Sequence, residues 1–218
     1  MNTIYFILGI SGLGKSTRVH WLKRFLDTLE VAKPCLSLSK KAIGFYYPKA
    51  NISIIGREGS RGFQGIDSFS TLFSSVDMFK ELYLLGEKSS IVVEGAGRLS
   101  SPMLLPETTA ELPLKIHALF FEYATYDQYL ARLQLRGSKG KGLTMWRKQK
   151  YNVSLKERFA AQLSKNSKAS LSVASFDSEL SSVGEIVLLP RSLLAFKQFI
   201  QQESRQKEGR TLSQEGLF

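Results

Sequence analysis

The segment that most narrows the choice of fold lies at the start of the chain, where Ile4 to Leu8 run directly into Gly9-Ile10-Ser11-Gly12-Leu13-Gly14-Lys15-Ser16. A short apolar run stopped by glycine is the pattern of a strand buried on both faces. Beyond the loop, Val19, Leu22, Phe25, Leu26 and Leu29 recur at three- and four-residue steps, which predicts an amphipathic helix over 16–30. Arg18, Lys23, Arg24 and Asp27 fall off that apolar stripe. Strand, glycine loop and helix in immediate succession point to a parallel sheet, and 218 residues suit a single domain with room for an inserted lid.

The rest of the chain continues the alternation. Short strands are expected at Cys35 to Ser39 and Ile43 to Tyr47, with a stronger one at Asn51 to Ile55, where Ile52, Ile54 and Ile55 are β-branched. Helical spacing returns from Ser70 to Leu85, and Gly86 is placed to end it. Ile91-Val92-Val93-Glu94 reads as a buried strand with an acid at its end, Lys115 to Tyr123 as another core strand, and Tyr126 to Leu135 as a helix. A last apolar strand is expected near Leu171 to Phe176, an extended stretch at Ile186 to Leu189 and a final helix at Ser192 to Gln202. The expected fold is therefore α/β, a parallel sheet covered by helices on both faces, with ligands outside the carboxyl ends of the strands. One domain is expected over 1–203, with a basic lid at about 136–150, and a polar, frayed tail over 204–218.

Composition removes several classes of function. One cysteine, Cys35, and two histidines, His20 and His117, cannot build a disulfide framework or a zinc site, and all three are read as structural. No apolar run approaches the roughly 18 residues of a membrane span, and Ile4 to Ile10 has neither a basic leader nor a small-residue cleavage site, so a cytoplasmic protein is expected. Thirty basic against nineteen acidic residues give a net charge of +11, which favours a polyanionic partner. The excess is most one-sided from Gln128 to Lys156, where Arg132, Arg136, Lys139, Lys141, Arg147, Lys148, Lys150 and Lys156 meet no acid.

Chemistry-bearing residues fall at the ends of the expected strands. Gly9-x4-Gly14-Lys15-Ser16 has the spacing of a phosphate cradle: the glycines let successive backbone amides of residues 9 to 17 (Gly9, Ile10, Ser11, Gly12, Leu13, Gly14, Lys15, Ser16, Thr17) converge on a triphosphate. Lys15 can reach the outer phosphates and the Ser16 hydroxyl can ligate Mg2+. Glu94, at the end of a parallel strand, falls near that loop and can hold a magnesium-bound water or assist an acceptor, and Arg98 follows in an open Gly95-Ala96-Gly97 backbone. The loop from Gly56 to Ser68 carries Arg57, Arg61, Phe63, Gln64 and Asp67 between four glycines, more content than a bare connector needs. Arg57 and Arg61 are candidates to grip an acceptor phosphate. Asp67 is either a general base or the cap of the helix starting near Ser68. Arg132 and Arg136, four apart on one helix face, suit a lid over a transferring phosphoryl group, while Trp146 beside Arg147 suits packing or base stacking.

Taken together, the glycine loop, Gly62-Phe63-Gln64-Gly65-Ile66-Asp67, the Val93-Glu94-Gly95 strand end and Arg136-Gly137-Ser138-Lys139 leading to Trp146-Arg147-Lys148 resemble a group of phage P-loop kinases. The chain is similar, over about residues 4 to 160, to the 5-hydroxymethyluracil DNA kinases. Ile66 stands where that group has threonine. The resemblance implies ATP as phosphoryl donor, Mg2+ as cofactor and the hydroxymethyl group of a modified base in DNA as acceptor. A deoxynucleoside monophosphate kinase is the second expectation, needing fewer cations than +11, and a nucleotide-regulated ATPase or binding module the third.

Overall fold

Alternation along one strand builds both halves of the core. In β1 (Thr3–Leu8), Ile4, Phe6 and Leu8 point to one face of the sheet and Ile7 to the other, and all four are buried. In the computed structural model the residues described are 1–9, 12–37, 39–59, 62–65, 75–95, 114–123, 125–135, 147, 156–157, 160–161, 169–175 and 179–215. The chain continues as α1 (Lys15–Leu29), β2 (Lys33–Leu36), β3 (Ala42–Tyr47), β4 (Ile52–Ile55), a hairpin of β5 (Arg57–Gly59) and β6 (Gly62–Gln64), and α2 (Ser75–Gly86). It is completed by β7 (Ser90–Glu94), β8 (Lys115–Glu122), α3 (Tyr126–Leu135), β9 (Ala169–Ser175), α4 (Ser182–Val187) and α5 (Pro190–Glu215).

Seven strands form one sheet in the order β2-β3-β4-β7-β1-β8-β9, and β5-β6 form a separate pair. From β4 to β9 every neighbouring pair is parallel. One face packs residues such as Ile4, Phe6, Ile91, Val93, Ile116 and Ala118 against Leu82 and Tyr83 of α2. The opposite face packs Ile7, Val92, Leu119 and Phe121 against Val19, Leu22 and Leu26 of α1, Val183 of α4 and Phe196 of α5. Helices therefore cover both faces. The chain leaves β1 toward β4, returns to β7 beside β1, then crosses to β8 on the other side. Such a reversal of direction opens a crevice at the carboxyl end of β1.

Three expectations are corrected. The sheet is mixed rather than all parallel, since β2 and β3 run antiparallel at its edge. The connections between β2 and β3 and between β3 and β4 are too short for a crossover, and Lys40 and Asn51 take positive φ in those turns. Ile186 to Leu189 is not an extended stretch: Ile186 and Val187 end helix α4, because Val183 and its neighbours bury a helical stripe against Phe196. The last helix begins at Pro190, a residue preorganised for a first helical position, and runs on to Glu215 instead of fraying after Glu203. Its polar second half is rich in Gln, Glu, Lys and Arg, which are good helix formers, and Glu203 is tied to Arg24 of α1 by a 2.6 Å ion pair. Arg18 and Lys23, although off the apolar stripe of α1, are buried.

Cys35 is buried, and burial pushes its thiol up, as suits an unreactive side chain. Burial lowers both histidines, and His117 is further engaged through Nδ1 with the Ser170 hydroxyl at 2.7 Å. Among the described residues no helix is long and apolar enough to cross a membrane.

Candidate functional site

The site is built where β1 and β7 end side by side. Their parallel register sets Ile7 opposite Glu94, and the Gly95 amide extends the ladder by donating to Ile7 O at 3.3 Å. Between β1 and α1 the chain reverses through Gly9, at φ 126°, and Gly12, at φ 96°. Gly14, at φ 73°, is the left-handed residue from which α1 starts. A side chain at Gly9 would meet Phe121 O at 2.6 Å, so the turn is pressed against β8 as well as bent. The first amides of α1 are thereby turned outward at the positive end of the helix dipole.

Three side chains named from the sequence meet there. Glu94 Oε2 accepts a hydrogen bond from the Ser16 hydroxyl at 3.1 Å, and Glu94 Oε1 lies 3.6 Å from Lys15 Nζ. Lys15 is 4% exposed and Glu94 7%, so the pair is largely removed from water. A buried ion pair of this kind is costly to leave half-made, which fixes the carboxylate on the first turn of α1. The carboxylate and the hydroxyl are both hard oxygen donors, the type that suits Mg2+. Among the described residues no group of three or more His, Cys, Asp or Glu could hold a metal by itself.

Two further residues lock the loop, and sequence reasoning assigned neither. Tyr123, just past β8, donates its hydroxyl to Gly12 O at 2.7 Å. Arg18, one turn into α1, donates through Nη1 to Leu13 O at 3.1 Å and to Gly14 O at 3.4 Å, and through Nε to Glu179 O at 3.3 Å. Its guanidinium also lies 4.8 Å from the centre of the Phe121 ring. The signal for Arg18 was weak because helical periodicity alone assigns such a charge to solvent. Its partners come from the glycine loop and from a segment 161 residues away.

The hairpin after β4 approaches from the other side. Register pairs Arg57 with Gln64 and Glu58 with Phe63, so alternate residues divide into two faces. Phe63 is buried against the α1 side of the core, and Glu58 Oε1 lies 3.1 Å from Lys23 Nζ of α1. On the other face Arg57 Nε donates to Gln64 Oε1 at 3.3 Å. Gly65, next in the chain, presses on the Glu94 backbone and carboxylate so closely that no Cβ would fit.

Of the remaining candidates, Thr17 follows Ser16 in α1, Arg132 falls in α3 and Arg147 is exposed. Ile10, Ser11, Arg61, Asp67, Arg98, Arg136 and Trp146 lie outside the described residues, as does nearly all of the expected lid over 136–150. The structure thus brings together Gly9, Gly12, Leu13, Gly14, Lys15, Ser16 and Glu94, with Arg57, Phe63 and Gln64 carried on the hairpin beside them. No protein-family model matches this chain, and no curated protein matches it in sequence.

Proposed function

We propose that the chain is a P-loop kinase that uses ATP to phosphorylate a hydroxyl acceptor, the hydroxymethyl group of 5-hydroxymethyluracil in DNA. The observation that carries this reading is the contact of one buried carboxylate, Glu94, with both Lys15 and Ser16 at the start of α1. In a phosphoryl transfer the terminal P–O bond of the donor breaks, a new P–O bond forms to the acceptor oxygen, and the acceptor proton is lost to a base. Catalysis of such a step is mostly positioning and stabilisation of charge. Amides at the start of α1 hold the phosphates, the Lys15 ammonium neutralises the oxygens that gain charge, and Tyr123 and Arg18 keep the loop in shape. Ser16 and Glu94 are the residues that would hold Mg2+, which when bound screens charge on the phosphate oxygens. Asp67 and Glu94 are the two carboxylates available to take the acceptor proton, and Arg132 and Arg136 are the cations for the closing lid.

The net charge of +11 favours a polymer over a mononucleotide acceptor, because each neutralised phosphate releases counterions and strengthens binding at low salt. The test offers radiolabelled ATP with hydroxymethyluracil-containing DNA, ordinary DNA and a panel of mononucleotides. Label is expected in the modified DNA alone. Label confined to mononucleotides would establish a nucleoside monophosphate kinase, and phosphate release with no labelled acceptor an ATPase. In the same assay Asp67→Asn is expected to lower kcat by about a hundredfold with little change in the KM for ATP. An unchanged kcat would leave Asp67 as a helix cap.

A further inference from the structure

Lys23 is an unexpected place for an ammonium, 5% exposed on the helix that the glycine loop opens. It is held from three sides: Asp27 Oδ2 at 2.7 Å, Glu58 Oε1 at 3.1 Å, and the Phe45 ring with its centre 4.3 Å away. Asp27 is fixed in turn, since its Oδ1 accepts the Tyr47 hydroxyl at 2.7 Å. Asp27, Phe45 and Tyr47 belong to α1 and to β3 of the main sheet, whereas Glu58 belongs to the separate hairpin. Lys23 therefore joins α1 and the main sheet to the separate hairpin.

We infer that the Lys23–Glu58 ion pair is a positioning device that sets the hairpin over the catalytic carboxylate and thereby determines how tightly the acceptor is held. This deepens the kinase reading and rests on it. In β5-β6, cross-strand pairs alternate between faces, so anchoring Glu58 and Phe63 on α1 necessarily presents Arg57 and Gln64 on the opposite face. Gln64 steadies the Arg57 guanidinium, and the next residue, Gly65, abuts Glu94. The hairpin thus spans the distance from Lys23, two turns along α1, to the carboxylate that touches Lys15 and Ser16. An acceptor phosphate gripped by Arg57 would have its distance from Glu94 fixed by the way Glu58 is docked. Placement errors of about 1 Å at a reacting centre cost up to roughly a hundredfold in rate.

The test exploits the exposure of Glu58, whose side chain is 54% accessible, so its substitution does not threaten the core. Glu58→Gln removes the charge and keeps the shape, Glu58→Lys turns attraction into repulsion, and Glu58→Asp keeps the charge on a shorter stem. Acceptor KM and kcat would be measured with labelled ATP, and donor affinity separately with a fluorescent ATP analogue. Glu58→Lys is expected to raise acceptor KM by about tenfold or more, Glu58→Gln by less, and Glu58→Asp to recover most of the loss, with the analogue's Kd within twofold of wild type throughout. An acceptor KM that does not move in Glu58→Lys overturns the inference, as does a rise in the analogue's Kd parallel to the rise in KM. If the wild-type protein binds the analogue yet labels no acceptor at all, the kinase reading fails first and takes the inference with it.

Discussion

The glycine loop and the β5-β6 hairpin both face Glu94, yet they are held in place by different means. Around the loop, Tyr123, Arg18, Glu94 and the Glu179 carbonyl tie together β8, α1, β7 and the segment before α4, through side chains that are nearly all buried. The hairpin stands outside the main sheet, with Arg57, Glu58 and Gly59 exposed, and its described anchors are Phe63, the Lys23–Glu58 pair and the abutment of Gly65 on Glu94. A region cross-linked by many buried polar contacts opens only with the whole domain, whereas one docked by a few contacts can shift alone. Under the proposed kinase reading this division has a use: the loop would hold one fixed polyphosphate, and the hairpin side would admit and release a bulkier acceptor.

Lys15→Ala strikes the first region at its centre and should bring the largest effect, a loss of transfer of at least about a hundredfold with the domain still folded. Normal turnover in that variant would show that the loop is not the donor site. Arg18→Met keeps a long apolar stem but removes the charged hydrogen bonds to Leu13, Gly14 and Glu179. A stability loss of about 2 kcal/mol in urea unfolding is expected, together with a several-fold rise in the KM for ATP. A change in acceptor KM alone would erase the distinction between the two regions.

A smaller effect probes their boundary. His20 on α1 is lowered chiefly by burial, with the Glu58 carboxylate pulling in the opposite direction. Removing that carboxylate by Glu58→Gln should therefore lower the His20 titration further, read from the imidazole proton signal by NMR, while His117 stays where it is. The sign for stability follows from His20 being harder to protonate folded than unfolded. Its contribution is present above the ordinary histidine value of 6.5 and is lost as the pH falls below it toward the folded value. His20→Gln should therefore flatten the fall in urea stability as the pH drops below 6.5.

What the sequence made legible follows from the range over which each signal acts. β1, the loop, α1, β7, β8 and α3 were readable because their signals are local: an unbroken apolar run, a glycine spacing, a helical stripe. Glu94 was found the same way, as an acid ending such a run. Arg18, Lys23 and Tyr123 were not, because each is explained by partners brought near only by folding. For Lys23 the deciding group, Glu58, lies in a loop whose own hairpin pairing leaves little trace in three-residue strands. The antiparallel turn into β3 was hidden because strand propensity carries no direction. Helix α4 was misread as extended because Ile186 and Val187 are β-branched, and the packing of Val183 and Phe196 overrides that local preference.

The pairing of Ile7 with Glu94 carries one more consequence. In a ladder whose side chains alternate from face to face, a slip of a single residue would put Val93 at the crevice and turn the acid into the opposite core. The tolerance on the carboxylate is thus digital, all or nothing, and it is enforced by every apolar residue of β7 at once. One residue gained or lost between Ser90 and Glu94 abolishes that setting. The place of Glu94 is held by a counting rule in two of the buried strands.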